Sequence, residues 1–522
     1  EISPRLQRLL SERQQRLLGG GMKGLEKESL RLGRDGKIAQ TPHPDALGSA
    51  LTNPWITTDY SEALIELITP PFKAAEDALG FLGDIHSYVY QTLEDEVLLA
   101  TSMPIGLSGD KSIPIARYGT SNIGQMKHIY RRGLDYRYGR IMQSIAGVHF
   151  NYSINEALWP VLHELENSSQ DLVNYIADAY FGIIRNVHRH GWLLIYLFGN
   201  SPAICKSFFI GREGLADNFQ TFDKDTLYQP YATSLRMSDI GYRNDNQTSL
   251  DISFNHLDDY VSSLQAAISQ PYPAYERIGV KVDGEYRQLN ANILQIENEY
   301  YSAIRPKQIA QSGEKPTLAL QRRGVRYLEI RSLDLACHQP AGVALEQMHF
   351  LETFILYCLV TESPPLTDEE KSESNHNSLS IACCGRTPGH TLARSGKQVA
   401  LKDWGISLLD GMQTIADILD QDQAGSPYSN SLSKCRNILE HAELTPAAQV
   451  LEDMSRHQES FAEQALRLSD SHSQHWRTNV PNQKRLEEFR QQSKVSKLEQ
   501  MRIEENDRLS FDEFLGAYLT QK

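Results

Sequence analysis

GLEKESLRL, residues 24–32, sets Glu26 and Glu28 two apart in a stretch that otherwise alternates like a β-strand. Alternate side chains of a strand share a face, so Glu26, Glu28, Leu30 and Leu32 point one way and Leu25, Lys27, Ser29 and Arg31 the other. Two carboxylates therefore lead a face that turns apolar. A solvated edge strand would produce this pattern, and so would a strand whose acidic half lines a site.

The same spacing recurs along the chain. ALIELITP (63–70) places Glu66 on the face of Leu64 and Ile68, just after Asp59. SIAGVHFNYSI (144–154) pairs His149 with Asn151 on one face. NANILQIENEYYSAIRP (290–306) carries Glu297 and Glu299, and GVRYLEIRSLD (324–334) groups Tyr327, Glu329 and Arg331 opposite Leu328 and Ile330. A carboxylate among aliphatic residues in mid-strand is costly to bury unless it is paired or bound to a cation. Each acid taken singly reads as a structural ion pair, whereas the set points to a shared cation site. One imidazole among many oxygens, with no thiolate, suits magnesium or manganese better than zinc. Magnesium held by carboxylates is commonly completed by substrate phosphates, and Arg331 lies where it could neutralise a transferred phosphoryl group.

Composition narrows the function class. The 522 residues carry a net charge of −14, which disfavours nucleic acid and anionic membrane as partners and favours small molecules and cations. Six cysteines (Cys205, Cys337, Cys358, Cys383, Cys384 and Cys435) contain no CxxC pair, so a reducing cytoplasm is expected and neither a zinc site nor a disulfide framework is indicated. The longest apolar run, WLLIYLF (192–198), is too short to span a bilayer. EISPRLQRLLSERQQRLL has the spacing of an amphipathic helix. Helices are predicted over 74–97 and 171–198 and, charged and at the surface, over 485–509, while 363–378 and 422–434 read as loops. A sheet-rich region of 1–340 gives way to a mainly helical one of 341–522, and no internal repeat is seen.

Other motifs fail on context. GGGMKG (19–24) matches GxGxxG but precedes a strand instead of joining strand to helix. GxxxxGK[ST], HExxH and GxSxG are absent. His188 and His190 are candidate metal ligands but read more readily as buried or capping residues.

With GLEKESLRL (24–32), HPDALGSALTNPWITTDYSEALIELITP (43–70), YGTSNIGQMKHIYRRGL (118–134), RYGRIMQSIAGVHFNYS (137–153), YLFGNSPAIC (196–205), YQPYATSLRMSDIGY (228–242), LQIENEYYSAIRPK (294–307) and YLEIRSLD (327–334), the chain resembles the glutamate–cysteine ligases of the proteobacterial type. Beyond about residue 340 the resemblance is one of length and helical character only, and no ATP-grasp extension is expected. The resemblance implies an α+β, glutamine-synthetase-like fold, a curved and mainly antiparallel sheet forming a funnel with helices outside, the whole of 1–522 being one catalytic unit. It also implies the reaction: ATP phosphorylates the γ-carboxylate of L-glutamate, and the amine of L-cysteine displaces phosphate to give γ-glutamylcysteine, with glutathione as a feedback inhibitor. Alternatives are a ligase for another amine and a binding protein that has kept the funnel without turnover.

Carried over by motif, the magnesium set, with manganese as a substitute, is Glu26, Glu28, Asp59, Glu66, His149 and Glu329. Arg131 and Arg331 match the arginines expected to stabilise the phosphoryl-transfer and tetrahedral states. The cysteine pocket is expected from Tyr60, Tyr130, Leu134, Gln143, Arg236, Tyr242 and Tyr301, with Arg236 for the α-carboxylate. Position 60 is often phenylalanine in the family, so Tyr60 adds a hydroxyl. Glu297 and Glu299 are left between ion pairs with Arg305 or Lys307 and ligation, and those two bases are candidate phosphate contacts.

Overall fold

In the computed structural model, which describes residues 3–241, 250–311 and 313–521, the alternating stretches meet in one antiparallel sheet. Its strands are β1 (Met22–Leu32), β2 (Ile56–Thr58), β3 (Leu64–Ile68), β4 (Val97–Leu98), β5 (Val148–Ser153), β6 (Ile304–Lys307) and β7 (Tyr327–Leu333). Their order is β6-β7-β5-β1-β3-β2, with β4 pairing the far end of β1 at Arg31 and Leu32. The opening stretch is thus a central strand and not a solvated edge.

Register does the positioning. Glu26 stands opposite His149 on one side and Ile68 on the other, and Glu28 stands opposite Glu66. Glu329 faces Asn151 across one ladder and Arg305 across the next. Because side chains alternate, a slip of one residue anywhere here would turn the acids into the packed layer behind the sheet.

That rear layer is helical. Helix α1 (Ala75–Thr92) lies against β1 and sets His86 Nε2 3.0 Å from Lys27 Nζ, while His86 Nδ1 donates to the Leu82 carbonyl. Helix α2 (Asn122–Tyr138) supplies a wall of the site and is capped by the Ser121 hydroxyl. From α3 (Leu345–Val360), Glu352 forms a buried ion pair with Lys23 of β1 at 2.6 Å and accepts from the hydroxyls of Tyr152 and Tyr428. Beyond residue 340 the chain is mostly helical, with one hairpin of Thr391–Arg394 and Lys397–Ala400. Helix Phe511–Leu519 packs Leu515 and Tyr518 on Met126 and Ile129 of α2, so it braces that wall.

Several elements differ from expectation. Within 290–306 only Ile304–Lys307 is strand. Before it, Asn290 bonds the backbone of Asn292 and Gln295, and Glu299 accepts from the Gln295 N–H, so side chains replace the ladder. The helix predicted over 171–198 is two, Leu172–His190 and Trp192–Phe198. The stretch 363–378 is helical from Asp368 because Thr367 and Glu370 form a capping box, and Pro427 opens a helix inside 422–434. The amino-terminal helix stops at Ser11 and resumes as a short 3-10 turn at Gln15–Leu18. None of the described helices is long and apolar enough to cross a membrane.

Breaking the Lys23–Glu352 pair from one side leaves a buried carboxylate facing two tyrosines. Lys23→Met is expected to destabilise the protein by about 3–5 kcal/mol, read as a lower urea midpoint, and Lys23→Met with Glu352→Leu to recover most of it. Equal losses in the single and double variants would show that the pair does not hold α3 to β1.

Candidate active site

On the front of the sheet the acids converge on one imidazole. His149 Nδ1 lies 3.0 Å from Glu26 Oε2 and 3.8 Å from Glu329 Oε1, and its Nε2 lies 3.5 Å from Glu28 Oε1. Two groups of ligand atoms, Glu26–His149–Glu329 and Glu28–Glu66–His149, each fall within 4.8 Å of one another. Asp59 stands beside the second group, close enough that its charge raises both Glu28 and Glu66. All six residues expected to hold the cation are therefore brought to one face. Among the described residues His188 and His190 join no such group; burial instead drives them down to about 4 and about 3.

Compensation of this charge is uneven. Burial alone would raise Glu329, yet Lys307 at 3.2 Å and Arg331 at 3.1 Å, with His149, hold it well below the usual carboxylate range. Glu28 is pushed up to about 7 by burial and then by Asp59, although the Gly147 N–H donates to it at 2.8 Å. Glu66 has no ion pair or hydrogen bond among the described residues, and burial followed by Glu26, Asp59 and Glu28 drives it well above its ordinary value. Such a surplus of acceptor oxygens, with no ion pair to Glu66 among the described residues, fits a hard divalent ion.

Beside the acids lies a cavity of about 120 Å³. Its wall includes Tyr60, Tyr130, Leu134, Gln143 and Tyr301 of the expected pocket, together with Glu28, Asp59, Arg131 and Arg331. Arg131, on α2, is aimed by two carbonyls: Nε donates to Asp59 at 2.6 Å and Nη1 to Lys127 at 2.9 Å. Arg331 spends Nη1 on Glu329, while its buried Nε has no hydrogen-bond partner among the described residues. Arg305 also lines the cavity, donating to the carbonyls of Asn298 and Tyr300.

Arg236 is not on that wall. It is buried behind it, where Nη2 donates to the Arg331 carbonyl at 2.8 Å and Nη1 lies 3.9 Å from Asp334 Oδ1. Gly147 makes room, since a Cβ there would collide with the guanidinium. Tyr242 lies outside the described residues. Among the described residues Glu297 and Glu299 join neither group of ligand atoms: Glu299 pairs with Arg137 at 2.9 Å and accepts from Tyr138, and Glu297 accepts from Thr317. In a turn instead of a strand the two no longer share a sheet face, and only Glu299 of the pair lines the cavity.

Sequence reasoning passed over Met142 of the cavity wall and Asp334, which accepts from Asn200 N, Ser201 Oγ and Ser234 Oγ and anchors Arg236 from behind. Asn151 was placed on the right face without a role; it donates to Glu26 at 2.8 Å while its own buried oxygen is unpartnered. Asp334 closes the YLEIRSLD motif, the one signal that could have drawn attention to it.

A family model described as glutamate-cysteine ligase matches residues 6–381. The chain belongs to the glutamate–cysteine ligase family. It is 46% identical over 522 residues to the glutamate–cysteine ligase of Alcanivorax borkumensis, covering 99% of both chains, and 45% identical to that of Pseudomonas putida over 96% of this chain and 95% of the other. Similarity therefore continues past residue 340, where the quoted motifs end. Among solved structures, glutamate–cysteine ligase from Francisella tularensis in complex with AMP superposes with a TM-score of 0.90 at 35% identity, over 96% of this chain and 97% of that one. A bifunctional glutathione synthetase from Pasteurella multocida matches at TM-score 0.71 and 25% identity over 90% of this chain but 55% of its own. Members of the family are enzymes that form γ-glutamylcysteine, the first step of glutathione synthesis, and the fold shared with these chains is the α+β arrangement described above.

Charge surplus makes a stability prediction. In metal-free protein Glu28 and Glu66 retain protons that unfolded carboxyls release near 4.5, so folding is favoured at low pH and loses stability as pH rises from there through about 7. Glu66→Gln is expected to raise the melting temperature in EDTA at pH 7.5 and to flatten its decline with pH. A variant that melts lower than wild type across this range would contradict it.

Proposed function

We propose that this member of the family uses ATP and magnesium, or manganese in its place, to phosphorylate the γ-carboxylate of L-glutamate and passes the γ-glutamyl group to the amine of L-cysteine. The observation that carries the reading is a juxtaposition: an acid cluster in which only part of the charge is matched by ion pairs among the described residues adjoins a small cavity whose wall includes Arg131 and Arg331. Glu26, Glu28, Asp59, Glu66, His149 and Glu329 would hold the ion, which when bound supplies charge neutralisation to the phosphate oxygens.

The protein's own groups account for the rest. Arg131 is fixed by two backbone carbonyls, so its planar fork is oriented before substrate arrives. Arg331 keeps an unpartnered Nε–H beside the cavity, a donor for an equatorial phosphoryl oxygen or for the oxyanion formed when the amine adds to the acyl phosphate. Asp59 and Glu28, both on the cavity wall, attract an acceptor ammonium, and Arg236 behind it provides positive potential for the acceptor carboxylate. The aromatic wall of Tyr60, Tyr130 and Tyr301 limits the acceptor to a small side chain. Lys307 and Arg305 are candidate phosphate contacts from β6. Glutathione contains the γ-glutamylcysteine unit and is expected to compete for the same surfaces. A cytoplasmic setting is consistent with six cysteines that form no disulfide among the described residues.

ADP release with ATP, magnesium and glutamate, measured with and without cysteine while the product is weighed by mass spectrometry, tests the assignment. Cysteine-dependent ADP matched by γ-glutamylcysteine is expected; ADP with no dipeptide would point to another amine, and no ADP to a binding protein. Arg331→Lys and Arg131→Lys are each expected to lower kcat by roughly 10²–10³ with a smaller change in KM. Arg236→Lys should raise KM for cysteine at least about tenfold, the factor for losing one charged contact; an equal rise for glutamate would refute its proposed place.

A further inference from the structure

Tyr60 is 2% exposed, lines the cavity, and its hydroxyl has no hydrogen-bond partner among the described residues. Its backbone is clamped on both sides. The Asp59 N–H donates to the Leu64 carbonyl at 2.9 Å, and the Tyr60 carbonyl accepts from Ala116 N at 3.0 Å. The main chain that carries the ring is therefore fixed, and burial of the ring holds the hydroxyl in place.

Charged groups stand around the ring, but each is already engaged. Asp135 holds Arg140 at 2.9 Å, Asp110 accepts from the backbone N–H groups of Arg140 and Ile141, and Arg131 is fixed to the Asp59 carbonyl. Phenylalanine would fill the same volume without burying an unsatisfied hydroxyl, which is a destabilising feature wherever nothing answers it. Buried polar atoms left open in a cavity are what a ligand answers.

The neighbouring wall says which ligand atom. Polar and charged groups line most of this cavity, and Leu134 and Met142 form its apolar and polarisable part. A methyl group fits such a wall but cannot accept the O–H. An alcohol can accept it but loses its hydration against leucine and methionine. A thiol does both: its sulfur is a weak acceptor on a largely apolar group.

Resting on the reading of this cavity as the acceptor site, we propose that the Tyr60 hydroxyl is a specificity-determining group that donates to the sulfur of a β-thiol amino acid and so selects it over its methyl and hydroxyl isosteres. The hydroxyl takes no part in bond making; it sorts acceptors by what their side chain can receive.

The test compares wild type with Tyr60→Phe, using cysteine, 2-aminobutyrate and serine at saturating ATP and glutamate. In the variant the ratio of kcat/KM for cysteine over 2-aminobutyrate should fall about five- to tenfold, the factor that one neutral hydrogen bond carries, with the loss residing in KM for cysteine. Its melting temperature should equal or exceed that of wild type, because an isosteric ring has shed an unpartnered hydroxyl. A ratio unchanged from wild type, or equal losses for cysteine and 2-aminobutyrate, would overturn the inference and leave Tyr60 a plain wall. Wild-type protein that joins glutamate to none of the three acceptors would instead overturn the acceptor-site reading, and this inference with it.

Discussion

The surplus of negative charge on the front of one sheet is the constraint on which the rest of the structure depends. Glu28 and Glu66 face each other across the β1–β3 ladder, with Glu26, Asp59 and Glu329 close by. Like charges in opposed positions oppose pairing, so the strands must be held in register by something other than these side chains. The buried leucines supply it: Leu30 and Leu32 continue the acidic face of β1 as fully buried residues, and Leu25 packs on the other. Around this fixed frame the protein places its cations unevenly. Lys307 and Arg331 serve Glu329, whereas Glu66 has no ion pair among the described residues. The frame thus stores an electrostatic demand at the end nearer Asp59, beside the cavity.

Behind the sheet the charges are treated differently. Lys23 is matched by Glu352 and the carbonyls of Gly21 and Lys73, and Glu352 in turn accepts from two tyrosine hydroxyls, a closed arrangement. Lys27, directly between Glu26 and Glu28 in sequence, lies against the His86 imidazole, and burial pushes it down to about 7. The same strand therefore carries a self-contained polar network on its rear and an open one on its front. That contrast separates structure from chemistry more clearly than burial does, since both sets of residues are buried.

Much of the front face was legible because period-two alternation is robust wherever a strand is real. Glu26, Glu28, Glu66, His149 and Glu329 share a face by parity alone, and the sheet then joins them. Alternation misled where side chains rewrote the backbone. Asn290 and Glu299 bond local main chain, so the run before Ile304 is a turn; Glu297 turns to Thr317, while Glu299 pairs with Arg137 and lines the cavity from its side. Arg236 was found from its motif, but its depth was not readable, because that depends on Gly147 and Asp334, more than 80 residues away on either side. The helices at 368–384 and 427–440 were hidden by polar composition, although the cap at Thr367 and the proline at 427 were there to be read.

β1 pairs with β5, whose last residue is Ser153, and β5 in turn needs β7, which ends at Leu333. As the chain is synthesised, a strand destined for the centre of the sheet must wait for some three hundred residues of its own sequence before the sheet around it is whole. An ordinary central strand of unbroken valine and isoleucine would be an adhesive edge throughout that wait. β1 alternates Lys23, Glu26, Lys27, Glu28 and Arg31 among its leucines, charges that keep water on both faces until their partners arrive. The residues that make the site also act as gatekeepers for the nascent chain, protecting the strand from aggregation before the enzyme exists.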